Sequence, residues 1–306
     1  MVVTSDYIWM DGKFIKWDDA KVHVLTHSLH YGSAVFEGIH SYKTGKGTVV
    51  FRLDEHLERL FFSANSLGMS PGFTKEQINS AIRKLIDMNS LGDAYIRPLV
   101  YYGYGSIGVY PKDIPTDVLI VAVPWNNYYS KELSISTSRF ERYSERSTVF
   151  GAKISGNYAN SILAMHEARK KGYDEALMLD NDGYVSEGPV QNIFLVKDED
   201  LITPMSRSAL YGITRDSIME ISKESGIKTY EKKVTLDEIR KADELFFCGT
   251  ASEIAPIISV DDIKIGNGNV GQITSKIRDM FYDIVRGNNQ KFIKWLTYTH
   301  QERADE

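Results

Sequence analysis

A chain of 306 residues with 42% hydrophobic and 25% charged residues is large enough for two cores and lacks the composition of a disordered protein. Its net charge of -5 argues against nucleic acid as the main partner, because phosphate-backbone binding needs a concentrated basic surface; a small molecule fits better. Cys248 is the only cysteine, which excludes an intrachain disulfide and a cysteine-cluster metal site, and no metal is expected.

The N-terminus MVVTSDYIWMDGKF has neither a basic n-region nor a continuous apolar stretch, and the longest apolar run, Val118 to Val123, is too short to span a bilayer. A cytoplasmic protein with no membrane partner is expected. YIWM and KFIKW flank Asp11-Gly12 and predict a hairpin. VVFR at Val49 to Arg52 reads as a strand. Leu53, Leu57, Leu60, Phe61 and Ala64 then form one helical stripe ending at Gly68. A second helix, KEQINSAIRKLIDMNSLG, is expected to end at Gly92, and AYIRPLVYY and DVLIVAVPW are rich in strand-forming residues. The polar, turn-rich stretch from Pro124 breaks this pattern and predicts a domain boundary. The expected division is 1–123 for a first domain, 124–133 for a connection and 134–306 for a second domain.

Beyond the boundary, SISTSRF reads as a strand and NYANSILAMHEARKKG as a helix closed by Gly172. ALMLD and YVSEG pair across a turn at Asn181 to Gly183. NIFLV and ELFFCG follow as strands. Helices are expected from Gly212-Ile213-Thr214-Arg215 and near QITSKIRDMFYDIVRG.

Between these elements lie the groups that a pyridoxal phosphate site requires: an amine, a carboxylate for the ring nitrogen, a hydroxyl donor and a phosphate cradle. Lys153 stands in the uncharged stretch FGAKISGNY, and Glu187 sits beside glycine and proline rather than in a solvated charge run. Gly212 opens a helix at Ile213 and Thr214, where unpaired backbone N–H groups attract a phosphate. Gly249, Thr250 and Ala251 offer more donors, and Arg59 offers a guanidinium. Each residue type singly has an ordinary structural use: lysines are mostly solvated, and turn carboxylates often accept backbone hydrogen bonds.

Taken together, HYGSAVFEGIHSY at His30 to Tyr42, FRLDEHLERL at Phe51 to Leu60, YIRPLVYYGYGSIGV at Tyr95 to Val109, the block from Lys153 to Phe194, ALYGITRD at Ala209 to Asp216, FFCGTASEIAP at Phe246 to Pro256 and KWLTY at Lys294 to Tyr298 resemble the branched-chain amino acid aminotransferases, which are fold type IV (class IV) pyridoxal phosphate enzymes. The resemblance covers nearly the whole chain. It implies an α+β or α/β fold with a smaller N-terminal domain and a larger, β-barrel-like C-terminal domain. It also implies a homodimer or higher homo-oligomer, and ping-pong transamination of leucine, isoleucine or valine with 2-oxoglutarate.

By that resemblance Lys153 forms the Schiff base with pyridoxal 5'-phosphate and shuttles the proton. Glu187 faces the ring nitrogen, Tyr158 the ring oxygen, and Leu210 packs near the ring. Arg59, Gly212, Ile213, Thr214, Gly249 and Thr250 hold the phosphate side of the cofactor. Tyr95, Thr250 and Ala251 receive the substrate carboxylate, supported by Arg97. Tyr31, Phe36, Gly38, Val109 and Tyr128 form the side-chain pocket, with Tyr31 and Val109 supplied by the neighbouring subunit.

Two positions depart from the family pattern: His40 stands where FEGIR has arginine, and Gln191 stands where a carboxylate is common. A compensating exchange between them is one reading. The alternatives on the same fold are a D-amino acid or (R)-amine transaminase and an aminodeoxychorismate lyase. A non-catalytic scaffold is the alternative outside enzymes.

Overall fold

The computed structural model describes residues 4–125 and 132–300. The chain divides into two compact units. One is Met1–Asn126 with Ala152–Gly156 and Asp283–Glu306, and the other is Asn127–Gly151 with Asn157–Tyr282. The segments 152–156 and 283–306 thus join the first unit, a more interleaved division than the boundaries read from sequence.

In the first unit, β1 (Tyr7–Met10) and β2 (Lys13–Lys16) form the expected antiparallel hairpin. Asp11 and Gly12 both adopt positive φ, 45° and 87°, as a tight turn matching strand twist requires. There follow α1 (His27–Tyr31), β3 (Ala34–Phe36), β4 (Ile39–Thr44), β5 (Gly47–Phe51), α2 (Leu53–Ser66), α3 (Lys75–Met88), β6 (Ala94–Tyr102) and β7 (Thr116–Pro124). The sheet runs β5-β4-β6-β7-β1-β2, with β3 also on β6. Beyond β5 the edge is taken by the last strand among the described residues, Leu296–Tyr298, with Leu296 opposite Phe51.

The predicted stripe of α2 is buried at Leu53, Leu57, Leu60 and Ala64, and packs with Ile78, Ile82 and Leu85 of α3 and Ile96, Val100 and Ile120 of the sheet. Each large side chain so buried contributes about 1.5–3 kcal/mol. A capping box between Thr74 and Gln77 opens α3. The helix ends at Met88, before the expected Gly92, because Asn89 accepts from the Asp6 and Tyr7 backbone N–H groups and Ser90 turns to φ 51°.

The second unit contains β8 (Leu133–Thr137), α4 (Tyr158–Lys170), β9 (Glu175–Leu179), β10 (Val185–Glu187), β11 (Asn192–Lys197), β12 (Asp200–Pro204), α5 (Ile213–Glu224), β13 (Thr229–Lys232), α6 (Leu236–Arg240), β14 (Glu244–Gly249), β15 (Glu253–Val260) and β16 (Ile263–Lys264); α7 (Gln272–Val285) runs past its end. Its mixed sheet is ordered β10-β9-β8-β15-β14-β11-β12-β13, with β16 on β15. Ile135, Leu177, Ile193, Leu195, Phe247 and Ile257 form its core. Among the described residues no helix is long and apolar enough to cross a membrane.

Candidate active site

The first unit gathers a lysine, an arginine pair and an aromatic wall. The short link between β3 and β4 carries Glu37, which is fully buried. Arg59 grips it through Nε at 2.6 Å and Nη2 at 2.8 Å. His56 Nδ1 lies 2.8 Å from Oε2 of the same carboxylate, the oxygen that Arg59 Nη2 also meets. His56 and Arg59 are three residues apart on α2 and so share a face. Burial pushes the Glu37 carboxyl up, but the Arg59 guanidinium and the His56 ring outweigh it and hold the group well below the usual carboxylate range. Burial likewise lowers His56, more than Glu37 raises it.

Lys153 is fixed in this unit by its backbone: its N–H donates to Ser63 Oγ of α2 at 2.9 Å, and its carbonyl accepts from Phe36 N–H at 3.2 Å. Its Nζ stands 5.0 Å from the Phe36 ring centroid. Just downstream, Gly156 N–H donates to the Gly32 carbonyl. A Cβ on Gly32 would come within 2.7 Å of Gly156 Cα, so the two glycines permit this crossing.

Phe36 also carries the Arg97 guanidinium at 4.5 Å from its ring centroid, and Arg97 Nη2 donates to the Tyr95 hydroxyl at 2.7 Å. Gly38 faces that hydroxyl so closely that a Cβ would sit 2.2 Å from it. Phe36, Gly38, Tyr95, Arg97 and Lys153 are therefore brought together. Tyr31 and Val109 form a separate group, 45% and 74% exposed, where Tyr31 Oη donates to the Ile107 carbonyl at 2.7 Å. Tyr128 lies outside the described residues.

In the second unit Glu187 lies at the end of β10 and is 4% exposed, and the loop of Leu210 and Gly212 is drawn to it. Arg142 Nη2 meets its Oε1 at 2.8 Å. Asn192 Nδ2 at 3.1 Å and the Leu210 N–H at 3.2 Å donate to Oε2. Asn192 also donates to the Leu210 carbonyl at 2.9 Å, tying the loop before α5 to the carboxylate. Gly212 caps α5 without a side chain, and a Cβ there would collide with Asn192 Oδ1 at 1.9 Å. Ile213 and Thr214 are buried in the first turn. Tyr158 opens α4, and Gly249, Thr250 and Ala251 lie in the tight connection of β14 to β15.

Sequence reasoning missed Glu37, His56, Arg142 and Asn192. Glu37 and His56 stood inside quoted motifs, and the spacing of His56 and Arg59 on one helix face was a usable signal. Arg142 lies in the polar stretch SRFERYSER and gave none.

The departures also acquire surroundings. Gln191 Nε2 donates to the buried Glu175 carboxylate at 3.3 Å, so a carboxylate at 191 would face another one. His40 packs against Tyr42 with ring centroids 4.3 Å apart and the rings tilted by 42°. Burial, opposed by Asp93 and reinforced by Arg286, pushes its imidazole down to about 4.

The sequence profile of the amino-transferase class IV family matches residues 34–260. The chain belongs to the class IV aminotransferases. As a class IV aminotransferase it is 43% identical over 295 residues to the branched-chain-amino-acid aminotransferase of Pseudomonas aeruginosa, covering 95% of this chain and 96% of that one. It is 42% identical over 304 residues to the Escherichia coli K12 enzyme of the same name, covering 97% and 98%. Among solved structures, the branched-chain amino acid aminotransferase from Thermobaculum terrenum in its PLP-form (holo-form) superimposes with a TM-score of 0.92 at 34% identity, covering 97% of this chain and 99% of that one. The fold is that of the type IV aminotransferases.

Proposed function

We propose that this enzyme transfers the amino group of branched-chain L-amino acids to 2-oxoglutarate by a ping-pong mechanism, with pyridoxal 5'-phosphate carried on Lys153. The observation that carries the reading is the 42–43% identity, over nearly the full length, to enzymes named for that activity. The residues fit the cofactor. A buried carboxylate held by Arg142 suits a ring nitrogen that must stay protonated, and a glycine-capped helix start suits a phosphate.

Pyridoxal phosphate, when bound, supplies an aldehyde that takes up amino groups and a ring that withdraws electrons from the substrate Cα–H bond. The chain supplies the rest. Lys153 Nζ takes the substrate Cα proton and delivers it to C4' of the cofactor within the same half-reaction, the opposite half-reaction running that transfer in reverse. Tyr158 donates to the ring oxygen, and Leu210 packs on the ring. Arg59, the Ile213 and Thr214 amides and Thr250 hold the phosphate. Tyr95, Thr250 and Ala251 take the substrate carboxylate. Phe36 and Gly38 surround its side chain by burial, which favours leucine, isoleucine and valine. Arg97, beside Tyr95, receives the γ-carboxylate of glutamate.

We read the working form as a cytoplasmic homodimer. Support for a second copy comes from the exposed apolar residues Val24, Leu29, Tyr31, Ile107, Val109 and Tyr110 of the first unit, an unusual amount of apolar surface to leave in water.

Half-reactions with L-leucine, L-valine, L-glutamate, D-alanine and an (R)-amine, followed through the cofactor's absorption, test the substrate assignment. The three L-amino acids are expected to bleach the visible band. A strong response to the (R)-amine with none to L-leucine overturns the reading.

A further inference from the structure

The carboxylate of Glu187 is bound on both oxygens, and the only cationic group among the partners described above is Arg142. Arg142 is itself fixed at three points. Its backbone N–H donates to the Leu179 carbonyl at 2.9 Å, its Nη1 donates to Ser161 Oγ at 3.0 Å, and its Nη2 meets Glu187. The Ser161 hydroxyl proton goes to the Pro189 carbonyl at 2.7 Å, so the oxygen of that hydroxyl accepts from the arginine. Pro189 lies two residues beyond Glu187, and the path from Glu187 through Arg142 and Ser161 closes on the turn that bears the carboxylate.

We propose that Arg142 is a positioning residue that keeps the Glu187 carboxylate ionised and in one orientation for the cofactor's ring nitrogen. This rests on the reading of Glu187 given above. A carboxyl group this buried takes up a proton unless a charge partner opposes it. The guanidinium does not lose its own proton in a protein, so the pair holds its charge state across the working pH range. The two-pronged geometry explains the residue type: one ammonium cannot reproduce the separate prongs to Ser161 and Glu187.

The test uses full-length enzyme loaded with pyridoxal phosphate and compares Arg142→Met, Arg142→Lys, Glu187→Gln and the double variant Arg142→Met/Glu187→Gln. The readouts are the pH titration of the visible absorption band and the cofactor dissociation constant. Arg142→Met is expected to shift the titration in the same direction as Glu187→Gln, and to weaken cofactor binding about tenfold or more, the scale on which partners behind a bound metal ligand act. Arg142→Lys recovers part of both, and the double variant titrates as Glu187→Gln does. If Glu187→Gln shifts the band while Arg142→Met titrates as the unsubstituted enzyme, the inference falls and the reading of Glu187 stands. If Glu187→Gln leaves the titration unmoved, that reading falls and takes the inference with it. Should Arg142→Met fail to fold, the double variant decides: a titration matching Glu187→Gln supports the inference, and a further shift overturns it.

Discussion

Two buried carboxylates, Glu37 in the first unit and Glu187 in the second, are each held by an arginine, and their surroundings differ. Glu37 is gripped through two nitrogens of Arg59 and approached by His56 as well. Glu187 meets Arg142 through one nitrogen and also accepts from the neutral Asn192 amide and a backbone N–H. The first arrangement locks a helix face to the strand link beside Phe36, and its charges answer one another. The second fixes the carboxylate within a loop system that includes the start of α5. One pair thus braces the helix that carries Arg59, the proposed phosphate ligand, and the other supports a carboxylate that is itself proposed to meet the cofactor.

The largest expected effect tests whether the first region is a brace for one reactive group. Lys153→Ala removes the amine but leaves the backbone bonds to Ser63 and Phe36 available, so turnover should fall by about 10⁴-fold with the protein still soluble and its melting temperature little changed. Near-normal kcat ends the mechanism.

Next in size is the direct comparison. Glu37→Gln leaves Arg59 without its buried counter-charge, and the cofactor-free protein should lose about 3 kcal/mol in urea unfolding. Glu187→Gln should act chiefly on the cofactor's spectrum. Equal effects of both substitutions on both readouts would erase the distinction between brace and support.

The last effect, no larger, is a pH dependence. His40 is pushed down to about 4 in the fold and returns to its ordinary value of about 6.5 when unfolded. Between those values the unfolded chain binds more protons, so this residue's contribution is present above about 6.5 and is lost as pH falls towards 4. The loss is on the order of 3 kcal/mol. Unfolding curves of His40→Gln from pH 7.5 to 4.5 should be flatter than those of the unsubstituted protein, and parallel curves would show that His40 titrates normally.

Much of the fold was legible where one segment carries its own instructions. Asp11-Gly12 specified the first hairpin, and the stripe from Leu53 to Ala64 specified α2. Elements fixed by distant partners were not. α3 stops where Asn89 turns to the backbone of β1. β15 contains Pro256 and is buried along most of its length, so it showed no alternation to read. The same holds for the site. Phe36, Gly38, Tyr95, Arg97 and Lys153 come together from quoted motifs, whereas Arg142 reaches Glu187 across 45 positions of sequence and only the folded chain joins them.

The strand Leu296–Tyr298 completes the edge of the first sheet against β5, and Arg52 N–H donates to the Trp295 carbonyl beside it. The unit that leaves the ribosome first is thus finished last. Its sheet must wait, one edge open, from β7 at Pro124 until Leu296 is made, about 170 further residues, roughly ten to thirty seconds at ordinary elongation rates. An unpaired edge kept waiting that long is a template for misassociation. For this enzyme, the closing residues of the chain bear on how much protein survives its own synthesis as well as on how the finished molecule stands.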